Sequence, residues 1–391
     1  MKSILQNKAY LYLTCLFLGI ITSFSLPPYN FVFLNFLSLP TLLYILINYT
    51  HKKIISFFVG WVFGFGYFIS NLYWITNSLT FDVNFKLIIP FALILIPLFL
   101  GIFYGLVTFL SSLFNLKNKL SSVLIFSIFF GGIEFLRSFI LGGFPWNLLV
   151  FSVSNNLPSL QILSYVGTYS LNLLSITIFL LPIIFFHKYK SSAAVIFFCF
   201  GLILVVINYS YGYFNIKNFE KKKYDKLDSV IRVVSPKVPI ERFLTNQSPE
   251  KNIDELLTLS DPNKSEKKIF IFPEGIITSI YFRDLKFFKN IFKKKFNANH
   301  KVILGINSIK ENKIYNSLVV LNSDTELLYK YNKNKLVPFG EFLPFENFFK
   351  RVGLKKITQG YQSFSADNKR KILNIDKLKF IPLICLSLIH I

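Results

Sequence analysis

The chain has 391 residues, 53% of them hydrophobic, and a mean hydropathy of +0.49, which is too apolar for a single water-soluble globule. Residues 1–213 carry ten Lys or Arg and only two acids, Asp82 and Glu134, whereas the remainder carries 33 basic and 18 acidic residues. The net charge of +23 does not imply nucleic acid, because the basic residues are interleaved with Phe, Ile and Asn without zinc spacing or an RNA-binding signature. A coding bias toward Lys, Asn, Ile and Phe, or attraction to anionic lipid headgroups, accounts for it instead. Four histidines without ligand spacing argue against a metal, no organic cofactor is implied, and three cysteines make no disulfide framework.

Taken in chain order, the first half holds seven apolar runs long enough to cross a hydrocarbon core: about 9–26, 31–49, 54–75, 87–114, 120–141, 160–186 and 192–213. The first follows Lys2 and Lys8 but is succeeded by Ser-Leu-Pro-Pro-Tyr rather than a small-residue cleavage site, so a retained span is expected. Lys52 and Lys53, Lys117 and Lys119, and Lys188 and Lys190 occupy every second loop, and the alternate loops hold only Lys86 beside Asp82. That alternation predicts a cytoplasmic N-terminus and places everything after about residue 214 on the far side. Within the fifth run, Glu134 and Arg137 share a helix face at i,i+3 spacing. Two readings stay open: a buried pair that fixes helix packing, and a functional intramembrane charge. Gly142-Gly143-Phe144-Pro145-Trp146 follows, an aromatic loop at the outer interface.

Beyond residue 214 the pattern changes to short β-rich runs at 230–234, 269–272, 302–306, 314–321 and 380–385, with helices expected at 249–260 and 280–296. Alternating strands and helices predict an α/β domain. Three groups there have chemical interest: Glu274 at a strand end, Lys333 and Lys335 with Glu341 nearby, and Cys385 closing an apolar run. A turn carboxylate, solvated lysines and an inert buried thiol are the bland alternatives. Together they supply a base, a cation for an oxyanion and a thiolate nucleophile, the parts needed for acyl transfer through a thioester.

These residues resemble the nitrilase superfamily, whose Glu-Lys-Cys triad occurs in this order. Joined to seven preceding spans, the chain is similar to the apolipoprotein N-acyltransferase family over almost its whole length. The resemblance is carried by Gly60-Trp-Val-Phe-Gly-Phe-Gly-Tyr-Phe with Trp74-Ile75, Glu134-x-x-Arg137, Gly143-Phe-Pro-Trp146, Phe272-Pro-Glu274, Tyr315-Asn-Ser317, Ile384-Cys385 and, most specifically, Lys333-x-x-Leu-Val-Pro-Phe-Gly-Glu341-Phe-Leu-Pro344. It implies a multi-pass α-helical membrane bundle over 1–213 followed by a nitrilase-like α-β-β-α sandwich over 214–385. It also implies Glu274 as general base, Lys333 rather than Lys335 as oxyanion cation, Cys385 as nucleophile and Glu341 as a supporting carboxylate. Phe243, Trp146, Glu134 and Arg137 become candidate substrate or lipid contacts.

The implied reaction is ping-pong. A phospholipid donates an acyl chain to Cys385, and the α-amino group of a lipoprotein's diacylglyceryl-cysteine accepts it. A monomer in a bacterial inner membrane, with the catalytic domain periplasmic, is expected. A membrane-tethered amidase and a transporter or binding protein are the competing classes.

Two departures from the family pattern stand out. Phe243 occupies a position where the family carries Trp, and Cys385 is followed by Leu-Ser-Leu-Ile-His-Ile391 rather than Tyr-Glu. That hexapeptide is the translation of CTGTCTCTTATACACATC, a transposase end used in sequencing libraries, so residues 386–391 are expected to be adapter-derived and the chain as written inactive.

Overall fold

The computed structural model describes residues 5–80, 83–117, 120–140, 143–186, 192–223, 228–237, 248–338, 340–342 and 363–385. The chain divides into two compact units, Met1–Lys223 and Tyr224–Ile391. The position of Phe243 and the 386–391 tail lie outside the described residues.

Every expected apolar run of the first unit contains a helix: α1 (Lys8–Ser23), α2 (Asn35–Tyr49), α3 (Lys53–Leu72), α4 (Ile89–Ser111), α5 (Ser121–Arg137), α6 (Leu163–Leu180) and α7 (Ser192–Lys221). Local signals set several boundaries. The Asn7 side chain accepts the Ala9 N–H at 2.9 Å and caps α1. Pro90 opens α4 at a position whose N–H has no helical partner anyway. α6 contains a break at Gly167, whose φ of +75° favours glycine. The last helix runs to Lys221, beyond the expected end at 213, because Tyr213 to Lys221 continues in helical register and Lys217 lies 4.5 Å from the Tyr213 ring centroid. By length and composition, the segments Val32–Tyr49, Lys53–Leu79, Phe85–Ser111, Leu163–Phe185 and Ser192–Lys221 are able to cross a membrane, and Lys8–Ser23 is a shorter apolar helix.

Lipid tails are as apolar as leucine, so close packing rather than water exclusion must hold such helices together. Small residues on α3 permit it. A Cβ on Gly60 would lie 2.3 Å from the Tyr104 carbonyl oxygen of α4, and one on Gly66 would lie 2.3 Å from the Leu16 carbonyl oxygen of α1. α3 therefore meets backbone on two sides, and Val59, Phe63, Tyr67 and Phe68 of the same helix are buried. The α7 surface differs: Ile196, Phe200, Ile203, Val206, Ile207 and Phe214 are all exposed, as suits a lipid-facing helix.

The second unit is built on a mixed sheet in the order β1 (Val230–Val233), β2 (Lys268–Ile271), β4 (His300–Lys310), β5 (Lys313–Leu321) and β6 (Leu327–Asn332), with β3 (Ile277–Tyr281) pairing on β4. β1, β2 and β4 run parallel, and β4, β5 and β6 antiparallel. Alternation along the strands makes two faces. Phe270, Val302, Leu304, Val319 and Leu321 pack with Ile253, Leu256 and Leu257 of α8 (Pro249–Leu259) and Phe292 of α9 (Lys289–Lys295). Ile269, Ile303 and Val320 face the other way and pack with the hairpin β7 (Leu373–Ile375) and β8 (Leu378–Phe380). The chain is thus a helical membrane bundle followed by an α/β domain.

Two expectations need correction. The 280–296 helix is interrupted: β3 reaches Tyr281, and the Asp284 carboxylate accepts the Tyr281 N–H at 3.2 Å, which starts a 3₁₀ turn (Phe282–Phe288) before α9. The 380–385 strand ends at Phe380, because Pro382 cannot donate to a ladder and Cys385 turns away at φ +47°.

The helix packing carries a test. Gly60→Ala should lower the thermal unfolding temperature of the detergent-solubilised protein, with overpacking costing about 1–3 kcal/mol. Gly132→Ala, where nothing lies within 4 Å of the added methyl, should leave it unchanged.

Candidate functional site

The second unit brings four polar side chains from separate elements to one place. Glu274 follows β2 through Phe272-Pro273, and its turn can lie on β4 only because Gly305 has no side chain; a Cβ there would sit 2.7 Å from the Glu274 Cα. The next residue, Gly275, takes φ +60° to complete the turn. Asn316 lies on β5, opposite Asn307 of β4. Lys333 follows β6, its N–H donating to the Asn316 carbonyl oxygen at 2.8 Å. Glu341 closes a turn in which its N–H donates to the Val337 carbonyl oxygen and its Oε2 accepts the Val337 N–H at 2.9 Å.

At the centre is the Lys333 ammonium, whose side chain is 1% exposed. Its Nζ lies 3.0 Å from Glu341 Oε1, 2.9 Å from Glu341 Oε2 and 3.5 Å from Glu274 Oε1. Asn316 Nδ2 donates to Glu274 Oε1 at 2.6 Å and to Glu341 Oε1 at 2.9 Å, tying the two carboxylates together. Behind them, Asn332 Nδ2 donates to Asp367 Oδ2 and the Asp367 N–H donates to the Lys333 carbonyl oxygen, which fixes the backbone on both sides of the lysine.

This arrangement separates the roles of the carboxylates. Glu341 is almost buried, uses both oxygens and neutralises the cation. Glu274 has a side chain 38% exposed and engages this cluster through Oε1, and among the described residues its Oε2 makes no hydrogen bond. One ammonium faces two carboxylates, leaving a carboxylate in excess for base chemistry and a rigid N–H donor for a developing oxyanion. Lys333 rather than Lys335 occupies the position between the acids. Asn316 is the contributor that sequence reading did not single out; its signal was its place in Tyr315-Asn-Ser317, on the strand beside the lysine.

Cys385 is exposed and held at φ +47°, a conformation that costs a non-glycine residue energy and recurs where a side chain must be presented. Among the described residues, no hydrogen bond or ion pair joins it to the Glu274–Lys333–Glu341 cluster. Among the described residues, no group of His, Cys, Asp or Glu could hold a metal ion.

In the first unit, Glu134 and Arg137 are fully buried, with Arg137 Nη2 3.6 Å from Glu134 Oε1. The Trp146 ring lies 5.4 Å from that of Trp74 in a tilted contact and lines a cleft of about 450 Å³ with Tyr29, Tyr73, Ser70, Asn71 and Asn147.

Removing the shared cation should be costly. Lys333→Met leaves two facing carboxylates unneutralised and should destabilise the second unit by about 3–5 kcal/mol, read from the hydrogen-exchange protection of β4 and β5.

Residues 18–181 match the model of the apolipoprotein N-acyltransferase N-terminal domain. The apolipoprotein N-acyltransferase of Rhizobium rhizogenes is 27% identical over 95% of this chain and 73% of its own length. That of Brucella melitensis is 25% identical over 94% and 72%, and that of Rickettsia prowazekii 28% identical over 95% and 74%. The chain, with its apolar helical unit and its Glu-Lys-Glu cluster in an α/β unit, is thus similar to apolipoprotein N-acyltransferases over nearly its whole length.

Proposed function

We propose that this acyltransferase moves an acyl chain from a phospholipid, through a thioester on Cys385, to the α-amino group of a lipoprotein's N-terminal diacylglyceryl-cysteine. The single observation that carries the reading is the buried Lys333 held between Glu274 and Glu341, in a chain whose other unit is a bundle of apolar helices.

In the first half-reaction, Glu274 takes the Cys385 thiol proton and the thiolate attacks an ester carbonyl of the phospholipid. The Lys333 ammonium stabilises the oxyanion. Collapse breaks the C–O bond, Glu274 returns its proton to the leaving alkoxide, and a lysophospholipid departs. In the second, Glu274 accepts a proton as the lipoprotein amine attacks the thioester. The C–S bond breaks, an amide remains, and the proton returns to sulfur. Glu341 and Asn316 hold Lys333 and Glu274 at fixed separation through both steps. Ordering the sites in this way needs no metal or organic cofactor.

The alternation of basic loops supports a cytoplasmic N-terminus, and an odd number of spans then supports a periplasmic catalytic unit at the inner membrane. Both substrates are lipids, and the membrane unit keeps the chemistry next to them. The lysine-rich second unit also favours an anionic lipid surface. A monomer suffices, since each catalytic role is filled within one chain.

The test is N-acylation of a synthetic diacylglyceryl peptide in phospholipid micelles by the protein expressed from its own locus. Glu274→Gln should lower kcat by about 10²–10⁴. Lys333→Met should lower it by about 10²–10³ or more. Hydrolysis of a small soluble amide without any lipid requirement would instead identify a membrane-tethered amidase.

A further inference from the structure

The aromatic loop that follows α5 is fastened to the bundle by a buried polar network that the chemistry above does not use. Glu134 Oε1 accepts from the Tyr104 hydroxyl at 2.8 Å, and Oε2 accepts from Asn172 Nδ2 at 2.5 Å. Asn172 turns its other end to the loop, its Oδ1 accepting the Val150 N–H at 2.9 Å. The Tyr67 hydroxyl donates to the Asn147 carbonyl oxygen at 2.8 Å, and the Phe144 N–H donates to the Arg137 carbonyl oxygen at 3.0 Å. Four helices, α3 through α6, thereby reach one short loop.

Arg137 is the unusual member. Its side chain is fully buried, and its three guanidinium nitrogens make no hydrogen bond among the described residues. It lies 5.1 Å from the Phe68 ring centroid and 6.0 Å from that of Phe144. Buried, and with Glu134 as its one counter-charge among the described residues, the guanidinium is held by the ion pair and by the faces of these two rings. The Phe144 ring in turn stands edge-on to Trp146 at 5.4 Å, and Trp146 meets the tilted ring of Trp74 in the cleft wall. Gly143, at φ +84°, brings the loop so close to the end of α5 that a Cβ there would lie 2.0 Å from the Ser138 carbonyl oxygen.

We propose that Glu134 and Arg137 are positioning residues, which with Tyr67, Tyr104 and Asn172 clamp the 143–150 loop and hold Trp146 as a fixed wall of the cleft. They touch neither lipid nor substrate; they act through Phe144 and Trp146. Among the described residues, the cleft lining of Ser23, Ser70, Asn71, Asn147, Ser154 and aromatic rings carries no charged side chain, which suits the neutral ester and glyceryl part of a lipid. That consequence for turnover rests on the acyl-transfer reading; the position of Trp146 does not.

The chain has three tryptophans, so Trp61→Phe with Trp74→Phe leaves Trp146 as the sole fluorescent reporter. In this background, Tyr67→Phe removes one hydroxyl and is the gentle test; Arg137→Met removes the cation at similar length. Both should red-shift the emission and raise acrylamide quenching about two-fold or more, as expected for a segment released to local opening. Arg137→Lys should restore part of the effect. Thr108→Val, which removes a buried bond to the Ser56 carbonyl oxygen toward the other end of α3 from Tyr67, should change neither. Unchanged emission and quenching in folded Tyr67→Phe protein would overturn the clamp, even if Arg137→Met fails to fold. In the acylation assay with native tryptophans, Tyr67→Phe should raise KM for phospholipid more than it lowers kcat. A freed Trp146 with an unchanged KM would overturn its role in seating lipid while leaving acyl transfer itself intact.

Discussion

The second unit depends on one ammonium kept out of water. A lysine buried to 1% exposure is stable only if its charge is neutralised and its donors are met. Glu341 does most of that, offering both oxygens within 3.0 Å. Asn316 then prevents the nearby Glu274 carboxylate from being simply repelled by Glu341, by donating to both from a single amide. The sheet is arranged to deliver these groups. β5 brings Asn316, the chain leaving β6 brings Lys333, and the bare backbone of Gly305 on β4 admits the Glu274 turn. Each is a backbone requirement that a change of one methyl group would disturb.

The membrane unit solves a related problem by different means. Glu134 and Arg137 are also buried and paired, but they sit among aromatic rings and amides rather than beside an open carboxylate. The Glu274 side chain is partly exposed and is bonded through Oε1 among the described residues, whereas both Glu134 oxygens are bound. A buried carboxylate with both oxygens hydrogen-bonded is suited to organising structure, and one with a partly exposed side chain to accepting a proton. A carboxylate–cation pairing therefore occurs in two settings, and burial with partner count distinguishes them.

Much of this was legible in the residues. The apolar runs were long enough to mark the helices, and the β-rich runs at 230–234, 269–272, 302–306 and 314–321 marked four strands of the sheet. The Leu-Val-Pro-Phe-Gly-Glu block singled out Lys333 over its neighbour Lys335, and the geometry places Lys333 between the acids. What was not legible depends on contacts distant in sequence. Asn316 bridges residues 42 and 25 positions away, which no local pattern encodes. The break after β8 was hidden because Ile381 to Ile384 is as apolar as a strand, and only the missing N–H of Pro382 hinted otherwise. For Glu134 and Arg137, i,i+3 spacing showed that they could pair but not what the pair would hold.

The central claim is that Cys385 carries the acyl chain between two lipids. The most direct measurement is mass spectrometry of the protein, expressed from its own locus and incubated with phospholipid micelles in the absence of any lipoprotein acceptor. The account predicts a hydroxylamine-labile acyl adduct on Cys385 that is lost in Cys385→Ala and Glu274→Ala and discharged when a diacylglyceryl peptide is added. A folded, lipid-bound protein with no adduct on Cys385 would contradict it.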